Sequence, residues 1–144
     1  MGQQRSPVCP ICEAENGGKW ACHRCAPVIT VYREALRNLQ PWLSAVQDGD
    51  VPDVLDVGDT ALCVWDVTRL FDARVRLAPQ QANAIELFLY GNLTEREASK
   101  AMNVSSTVPV GIYATVGITR LLGMSYRGEI EGFRVELPDI EKEH

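Results

Sequence analysis

The stretch Leu93-Thr-Glu-Arg-Glu-Ala-Ser-Lys-Ala-Met-Asn-Val-Ser105 decides the predicted fold of this chain. Thr94 is followed three residues later by Glu97, a capping box in which each side chain bonds the backbone amide of the other residue. Leu93 precedes the cap, where it can act as a hydrophobic staple. Asn103 stands where the chain must leave the helix in a left-handed conformation, which Asn adopts with little strain. The stretch therefore predicts a short helix, a tight turn and the start of a second helix.

Helices are also predicted on both sides of this turn. Before it, residues 79–90 carry apolar side chains at helical spacing, with proline at the start. After it, Ser105 or Ser106 is expected to cap a second helix that ends near residues 121–123. Pro109 is tolerated there because it falls in the first turn. Residues 77–127 thus form a predicted helix-turn-helix domain.

This domain resembles two families of DNA-binding domains. The run from Leu77 to Leu121 is similar to the C-terminal region of bacterial sigma factors and to the output domains of LuxR-type regulators. In those families a Leu-Ser/Thr-x-x-Glu segment followed by apolar residues builds the first helix of the motif, and Leu93-Thr-Glu-Arg-Glu stands at that place here. With the N-terminal cysteines described below, the layout is also similar to small helix-turn-helix proteins of actinobacteria and their phages.

The resemblance implies a DNA-binding regulator of transcription, with double-stranded DNA as the partner. Carried over residue by residue, the resemblance places three residues near DNA phosphate at the start of the second helix, namely Ser105, Ser106 and Thr107. The residues that it places nearest the major groove are Val108, Val110, Gly111, Tyr113 and Ala114. Thr115 and Arg120 would lie toward the far end of the groove. Further phosphate contacts are expected from basic side chains, namely Arg96, Lys100, Arg120 and Arg127, with Lys19 and Arg24 near the cysteines.

The composition of the second helix leaves another function open. From Val104 to Thr119 there is no charged or amide side chain, whereas specific reading of the major groove uses Arg, Lys, Asn or Gln. A neutral, apolar face fits a contact with a protein, such as RNA polymerase or another regulator. The same face is also compatible with burial inside the chain or in a homodimer. The salt dependence of binding distinguishes the two functions, because phosphate contacts weaken steeply with ionic strength and apolar contacts do not.

Four of the five cysteines follow the pattern Cys9-x2-Cys12-x9-Cys22-x2-Cys25. A two-residue spacing turns both sulfurs toward one point, and two such pairs supply a tetrahedral thiolate set for Zn²⁺. Asn16-Gly17-Gly18 predicts the turn between them. Two disulfides are the alternative, which would need an oxidising compartment. Four thiolates leave no open position, so the expected zinc is structural. The predicted fold class is all-α, a helical helix-turn-helix domain with a small N-terminal zinc ribbon or knuckle.

Periodicity and charge divide the rest of the chain. Apolar residues from Val28 to Leu39 predict a helix that Pro41 interrupts, and a second helix is expected after an acidic loop, capped by Asp59 or Thr60. Cys63, among apolar neighbours, is predicted to lie in the core. A short strand is predicted in the tail by the alternation of Ile130, Phe133, Val135 and Leu137. The predicted organisation is 1–27 zinc knuckle, 28–76 helical spacer, 77–127 helix-turn-helix domain and 128–144 acidic tail.

Composition limits the classes of function. The net charge is −5, divided as +1, −3, +1 and −4 over those four segments, so the two segments with motifs are the basic ones. No apolar run reaches the roughly 18 residues that span a bilayer, and no signal peptide is recognised. A cytoplasmic protein without a membrane partner is expected. No catalytic arrangement of Ser-His-Asp, Cys-His or paired carboxylates has a recognisable context, which argues against an enzyme.

Overall fold

Helices dominate the structure, a computed structural model that describes residues 8–13, 21–45, 53–104 and 109–137. In chain order the elements are α1 (Ala26–Ala45), β1 (Val54–Val57), β2 (Thr60–Cys63), α2 (Val64–Asp72), a 3-10 turn (Ala73–Arg76), α3 (Pro79–Ala84), a π-helix (Ile85–Tyr90), α4 (Glu95–Met102) and α5 (Val110–Tyr126). A mostly helical fold is confirmed. The fold is not strictly all-α, because β1 and β2 form an antiparallel sheet.

Three predicted features lie outside the described residues. These are the turn at 16–18, the segment 105–108 with Ser105, Ser106, Thr107 and Val108, and the end of the acidic tail after residue 137. In the part of the chain that the structure describes, one cluster of buried side chains includes members of the cysteine pairs, of every helix and of the segment 130–135.

Helix α1 continues through Pro41, so the predicted interruption is wrong. Proline has no amide hydrogen, and it therefore leaves the carbonyl oxygen of Arg37, one turn earlier, without its helical partner. Asn92 supplies the missing donor, since its side-chain Nδ2 donates to this oxygen at 2.9 Å. Beyond the proline, the indole Nε1 of Trp42 donates to the carbonyl oxygen of Val54 at 3.2 Å and ties the end of α1 to the sheet.

A β-hairpin occupies the place where a helix cap was predicted. Val57 pairs with Thr60 across a two-residue turn, and Gly58 in that turn has a φ of +58°, which glycine adopts at little cost. Helix α2 begins only at Val64, so neither Asp59 nor Thr60 caps it. A Gly-Asp pair between two runs rich in β-branched residues is a hairpin signal in the sequence.

Cys63 is exposed, and its predicted place in the core is wrong. Successive side chains of a strand point to opposite faces. In β2 only Leu62 turns partly inward, whereas Ala61 and Cys63 face outward. The apolar neighbours of Cys63 in the sequence therefore do not indicate burial of the thiol.

The predicted helix over residues 79–90 is confirmed in extent, but its second half is a π-helix. Ile85 and Leu89 from this half are fully buried. The ring of Tyr90 stacks on Phe71 with centroids 4.5 Å apart, and the guanidinium of Arg37 lies 4.5 Å from the centroid of Phe88. The widened turns thus bring one element into contact with both α1 and α2.

Helix α4 forms as the sequence predicts. The amide of Glu97 donates to Thr94 Oγ1 at 3.1 Å, and the amide of Thr94 donates to Glu97 Oε1 at 3.0 Å. Ala98 is fully buried. Asn103 ends the helix with φ 57° and ψ 45°, the left-handed conformation expected there. The capping box and the left-handed turn are both confirmed.

Thr94→Ala is expected to lower the free energy of unfolding by about 1 kcal/mol, because the amide of Glu97 loses its acceptor at the start of α4. The measurement is chemical denaturation followed by circular dichroism. Ser99→Ala, inside the same helix, is the matched control and is expected to be neutral or slightly stabilising. Equal stability of the two variants would contradict the capping role.

Helix α5 lies at the centre of the core. It begins at Val110, with Pro109 as the residue before its first turn, and it ends at Tyr126. The predicted start of this helix, after Ser105 or Ser106, and its predicted end, near residues 121–123, both come earlier in the chain than the observed ones. Proline suits the start of a helix, where no amide donor is needed. Gly123 does not end the helix but lets another backbone approach, because a Cβ there would lie 2.7 Å from the carbonyl oxygen of Pro10.

The segment after α5 is held by a buried serine. The hydroxyl of Ser125 donates to the carbonyl oxygen of Phe133 at 3.1 Å and accepts from the amide of Val135 at 2.8 Å. Phe133 and Val135 are buried, whereas Arg134 and Glu136 are exposed. The predicted alternation is confirmed, but residues 128–137 form no strand. The hydroxyl of Ser125 on α5 bonds the backbone groups of Phe133 and Val135 that a neighbouring strand would otherwise bond.

Candidate metal centre and helical surface

The side chains of Cys9, Cys12, Cys22 and Cys25 converge on one point. Their sulfur atoms all lie within 4.8 Å of one another, and all four residues are buried. The Sγ atoms of Cys12 and Cys22 are 3.7 Å apart, far beyond the length of a disulfide bond, about 2.05 Å. A tetrahedral ion with sulfur ligands at about 2.3 Å would place its ligands about 3.8 Å from one another. The four thiols thus form a possible metal site.

Backbone hydrogen bonds set the two cysteine pairs in place. In the first pair, the amide of Glu13 donates to the carbonyl oxygen of Cys9 at 2.9 Å, and the amide of Ile11 donates to Cys9 Sγ at 3.5 Å. In the second pair, the amide of Ala26 donates to the carbonyl oxygen of Cys22 at 2.9 Å. Cys25 immediately precedes α1, so the first turn of this helix continues directly from the cluster.

Without a cation, the electrostatics of the cluster keep the thiols of Cys22 and Cys25 protonated. Burial raises the pKa of Cys22 and, more strongly, that of Cys25, so that on their own these thiols stay protonated. A hydrogen bond to Cys12 raises the pKa of Arg24, which therefore keeps its positive charge beside the sulfurs. A divalent cation would reverse the preference of the thiols and bind them as thiolates. Four sulfur ligands would fill a tetrahedral ion and leave no place for water.

The cluster packs directly against α5. Ile11, between the first two cysteines, has no exposed surface, and its Cα would lie 3.7 Å from a Cβ at Gly123. Directly after the last residue of α5, Arg127 pairs with Glu129 at 3.0 Å and with Glu13 at 3.9 Å. The guanidinium predicted to contact DNA phosphate is therefore engaged by two carboxylates.

The structure corrects two of the residues assigned to the major groove. Val110 and Ala114 have no exposed surface, so they cannot reach a groove. They share one face of α5 with Ile118 and Leu121, at spacings of four, four and three residues, and that face packs in the core. This spacing is visible in the sequence and would have identified the buried face. Tyr113 is only partly buried.

Ile112, which the sequence pattern predicts on the apolar face of the second helix, lies on the outer side of α5. Ile112 is 52% exposed, one of few large apolar side chains with that much exposed surface among the described residues. Gly111, next to it, donates its amide to Glu95 Oε2 at 3.0 Å. A carboxylate therefore lies at the end of α5 where the resemblance places DNA phosphate, and a helix N-terminus attracts either anion.

The remaining basic residues are spread rather than clustered. Arg96 and Lys100 are exposed on α4 and have no ion pair within the described residues, but Glu95 and Glu97 lie on the same short helix. Arg120 is exposed on α5 and approaches Gln81 Oε1 at 3.5 Å. Lys19 lies outside the described residues, and Arg24 lies at the cysteines.

Within the described segments, no helix is both long enough and apolar enough to cross a membrane. Comparison of this chain with protein-family models, with curated proteins and with solved structures finds no match.

Proposed function

We propose that this protein is a transcription-control module that docks on a protein partner, RNA polymerase or another regulator, through the exposed start of α5. A helix-turn-helix pair formed by α4 and α5 presents this surface, and Zn²⁺ bound by Cys9, Cys12, Cys22 and Cys25 stabilises the fold behind it. The protein acts without catalysis.

The observation that carries this proposal is the chemistry at the start of α5. Ile112 exposes half of its apolar surface, and apolar contact area is what a helix contributes when it lies in a groove of another protein. Glu95 holds the Gly111 amide beside it at 3.0 Å. The surface is thus apolar and acidic, which favours a protein over the phosphate backbone of DNA.

The turn between α4 and α5 supports the helix-turn-helix assignment. Asn103 provides the left-handed exit from α4, and Val104 is partly buried against the core. Helix α4 ends at Met102 and α5 begins at Val110, which is a wider separation than the three or four residues of the usual motif and speaks against the assignment. The assignment of zinc rests on the donor set, since four convergent thiols are typical of structural Zn²⁺ sites.

Direct DNA binding is the second candidate, and a different observation favours it. Arg96 and Lys100 lie one turn apart on α4, both exposed and without an ion pair in the described part of the chain. Two such side chains on one face of a helix suit contacts with the phosphate backbone. Arg120 would extend this set, although it lies further along α5.

Ile112→Glu is expected to weaken binding to bacterial RNA polymerase about tenfold or more, because burying one isoleucine contributes about 1.5–3 kcal/mol. Binding is measured by biolayer interferometry on the full-length protein at low and high salt, with little dependence on salt expected. Val75→Glu is the matched control, since Val75 is 75% exposed on the 3-10 turn, outside α5.

Two results would contradict docking through α5. One is equal affinity of the Ile112→Glu variant and the parent protein. The other is tight binding to a pool of random-sequence DNA duplexes that falls steeply with salt and is lost in an Arg96→Ala/Lys100→Ala variant. The second result would establish the DNA-binding candidate in its place.

A further inference from the structure

A cavity of about 610 Å³ opens between the start of α1, strand β2 and the segment 133–137. This volume falls in the range of small-molecule sites, about 300–1,000 Å³. It lies apart from the cysteine cluster and from the start of α5, because none of their residues lines it. Most of its wall is apolar and is formed by Pro27, Val28, Val31, Leu62, Phe133 and Leu137.

A buried tyrosine places a polar group in this wall. Tyr32 is only 6% exposed, and its hydroxyl makes no hydrogen bond within the described residues. The charges that act on this phenol are those of Asp66, Glu136 and Cys63, which all line the cavity. Tyr32 itself lines the cavity, and its hydroxyl oxygen is not among the fully buried polar atoms of the described residues. Burial raises the pKa of Tyr32, so the hydroxyl stays neutral and is free to donate or accept a hydrogen bond.

The charged groups around the cavity are predominantly acidic. Asp66 and Glu136 line it, and neither has an ion pair in the described part of the chain. Burial raises the pKa of Asp66, Arg69 opposes this shift and Glu136 adds to it. Arg134 also lines the cavity, but its Nε donates to the carbonyl oxygen of Tyr126 at 3.2 Å. The lining thus holds two carboxylates and one guanidinium, which gives the cavity a net negative charge.

Two aromatic rings complete the lining. The rings of Tyr32 and Phe133 lie 6.0 Å apart and are inclined at 48°. Aromatic faces attract cations, most strongly where water is excluded. Ser125 fixes Phe133 in this position through its carbonyl oxygen, so the site is formed before any ligand enters.

We propose that this cavity binds an organic cation, an amine carried on an apolar body. Its ammonium group lies between Asp66 and Glu136 and hydrogen-bonds the hydroxyl of Tyr32. Its apolar part packs against Val28, Val31 and the ring of Phe133. This site shares no residue with the cysteine cluster or with the docking surface of α5.

The test uses three probes of matched shape, 4-phenylbutylamine, 4-phenylbutan-1-ol and 4-phenylbutyrate, titrated into the full-length protein and followed by nuclear magnetic resonance of the backbone amides. The amine is expected to shift the amides that line the cavity and to bind at least about tenfold more tightly than the alcohol or the acid. Asp66→Asn and Glu136→Gln are each expected to weaken amine binding by about tenfold.

Glu131→Gln is the matched control, because Glu131 is exposed on the same C-terminal segment but does not line the cavity. Its affinity for the amine is expected to equal that of the parent. Tyr32→Phe removes the hydroxyl alone. This variant is expected to bind the amine more weakly than the parent does, but to bind the alcohol with unchanged affinity. The amide spectra report in the same experiment whether each variant is folded.

Cys63 offers a second readout, because this exposed thiol also lines the cavity. Bound amine is expected to slow the reaction of Cys63 with a maleimide reagent. The alcohol at the same concentration is expected to leave the rate of this reaction unchanged. The proposal is overturned if the alcohol binds as tightly as the amine, if Asp66→Asn and Glu136→Gln both bind the amine like the parent, or if none of the three probes shifts the amides of the cavity.

Discussion

Replacing Cys25 with serine is expected to lower the free energy of unfolding by about 5 kcal/mol and the thermal midpoint by more than about 10 °C. Cys25 is a member of the convergent thiol set, and α1 starts at the next residue. Loss of one ligand therefore removes both the metal and the anchor of a central helix. The measurement is thermal denaturation with the metal content determined in parallel, with one Zn²⁺ per chain expected in the parent.

Cys63→Ser is the control for this experiment, since Cys63 is exposed and belongs to no cluster. A strong chelator is expected to destabilise the parent and Cys63→Ser alike, and to leave Cys25→Ser unchanged. Lower pH is expected to favour release of the metal, because the pKa values of Cys22 and Cys25 are raised and protons compete with the ion. A Cys25→Ser variant with the same thermal midpoint as the parent would exclude a structural metal.

Gly123→Ala is expected to lower the free energy of unfolding by about 2 kcal/mol, even though alanine favours helices. The added Cβ would lie 2.7 Å from the carbonyl oxygen of Pro10. This oxygen belongs to the backbone between Cys9 and Cys12 of the cysteine cluster, where a shift would displace both residues. The variant is also expected to lose Zn²⁺ faster to a chromophoric chelator, because the cysteine pair is pushed away from α5.

Gly117→Ala is the matched control on the same helix. Its Cβ would meet only side-chain atoms, with Ile85 Cδ1 nearest at 2.8 Å. The end of a side chain shifts at a lower cost than a backbone oxygen, and the higher helix propensity of alanine, worth about 1 kcal/mol, offsets part of this cost. Denaturant unfolding and the rate of metal release are measured for both variants. Equal stability and equal release rates would contradict the role given to Gly123.

Local features of the fold were predictable, whereas features made by distant residues were not. The capping box of Thr94 and the left-handed Asn103 depend on neighbours within a few residues, and both are confirmed. The continuation of α1 through Pro41 depends on Asn92, which is 55 residues from the carbonyl that it satisfies. No periodicity in the sequence reports such a contact. The hairpin at Gly58 did have a local signal.

The candidate sites follow the same division. The spacing of the cysteines predicted their cluster, because each pair is local in sequence. The spacing of Val110 and Ala114 with Ile118 and Leu121 would have revealed a buried face, but the resemblance to DNA-binding domains assigned it to the groove. The cavity beside Tyr32 draws its carboxylates from α2 and from the C-terminal segment. Only the tertiary fold brings those groups to one place.

The hydrogen bond from Asn92 to the carbonyl oxygen of Arg37 has a consequence for local fluctuations of the protein. A helix turn whose own donor is missing opens as soon as its substitute leaves, and the substitute belongs to the loop after the π-helix. The C-terminal half of α1 and that loop are therefore expected to open as one cooperative unit. In amide hydrogen exchange their protection would rise and fall together, although they are far apart along the chain.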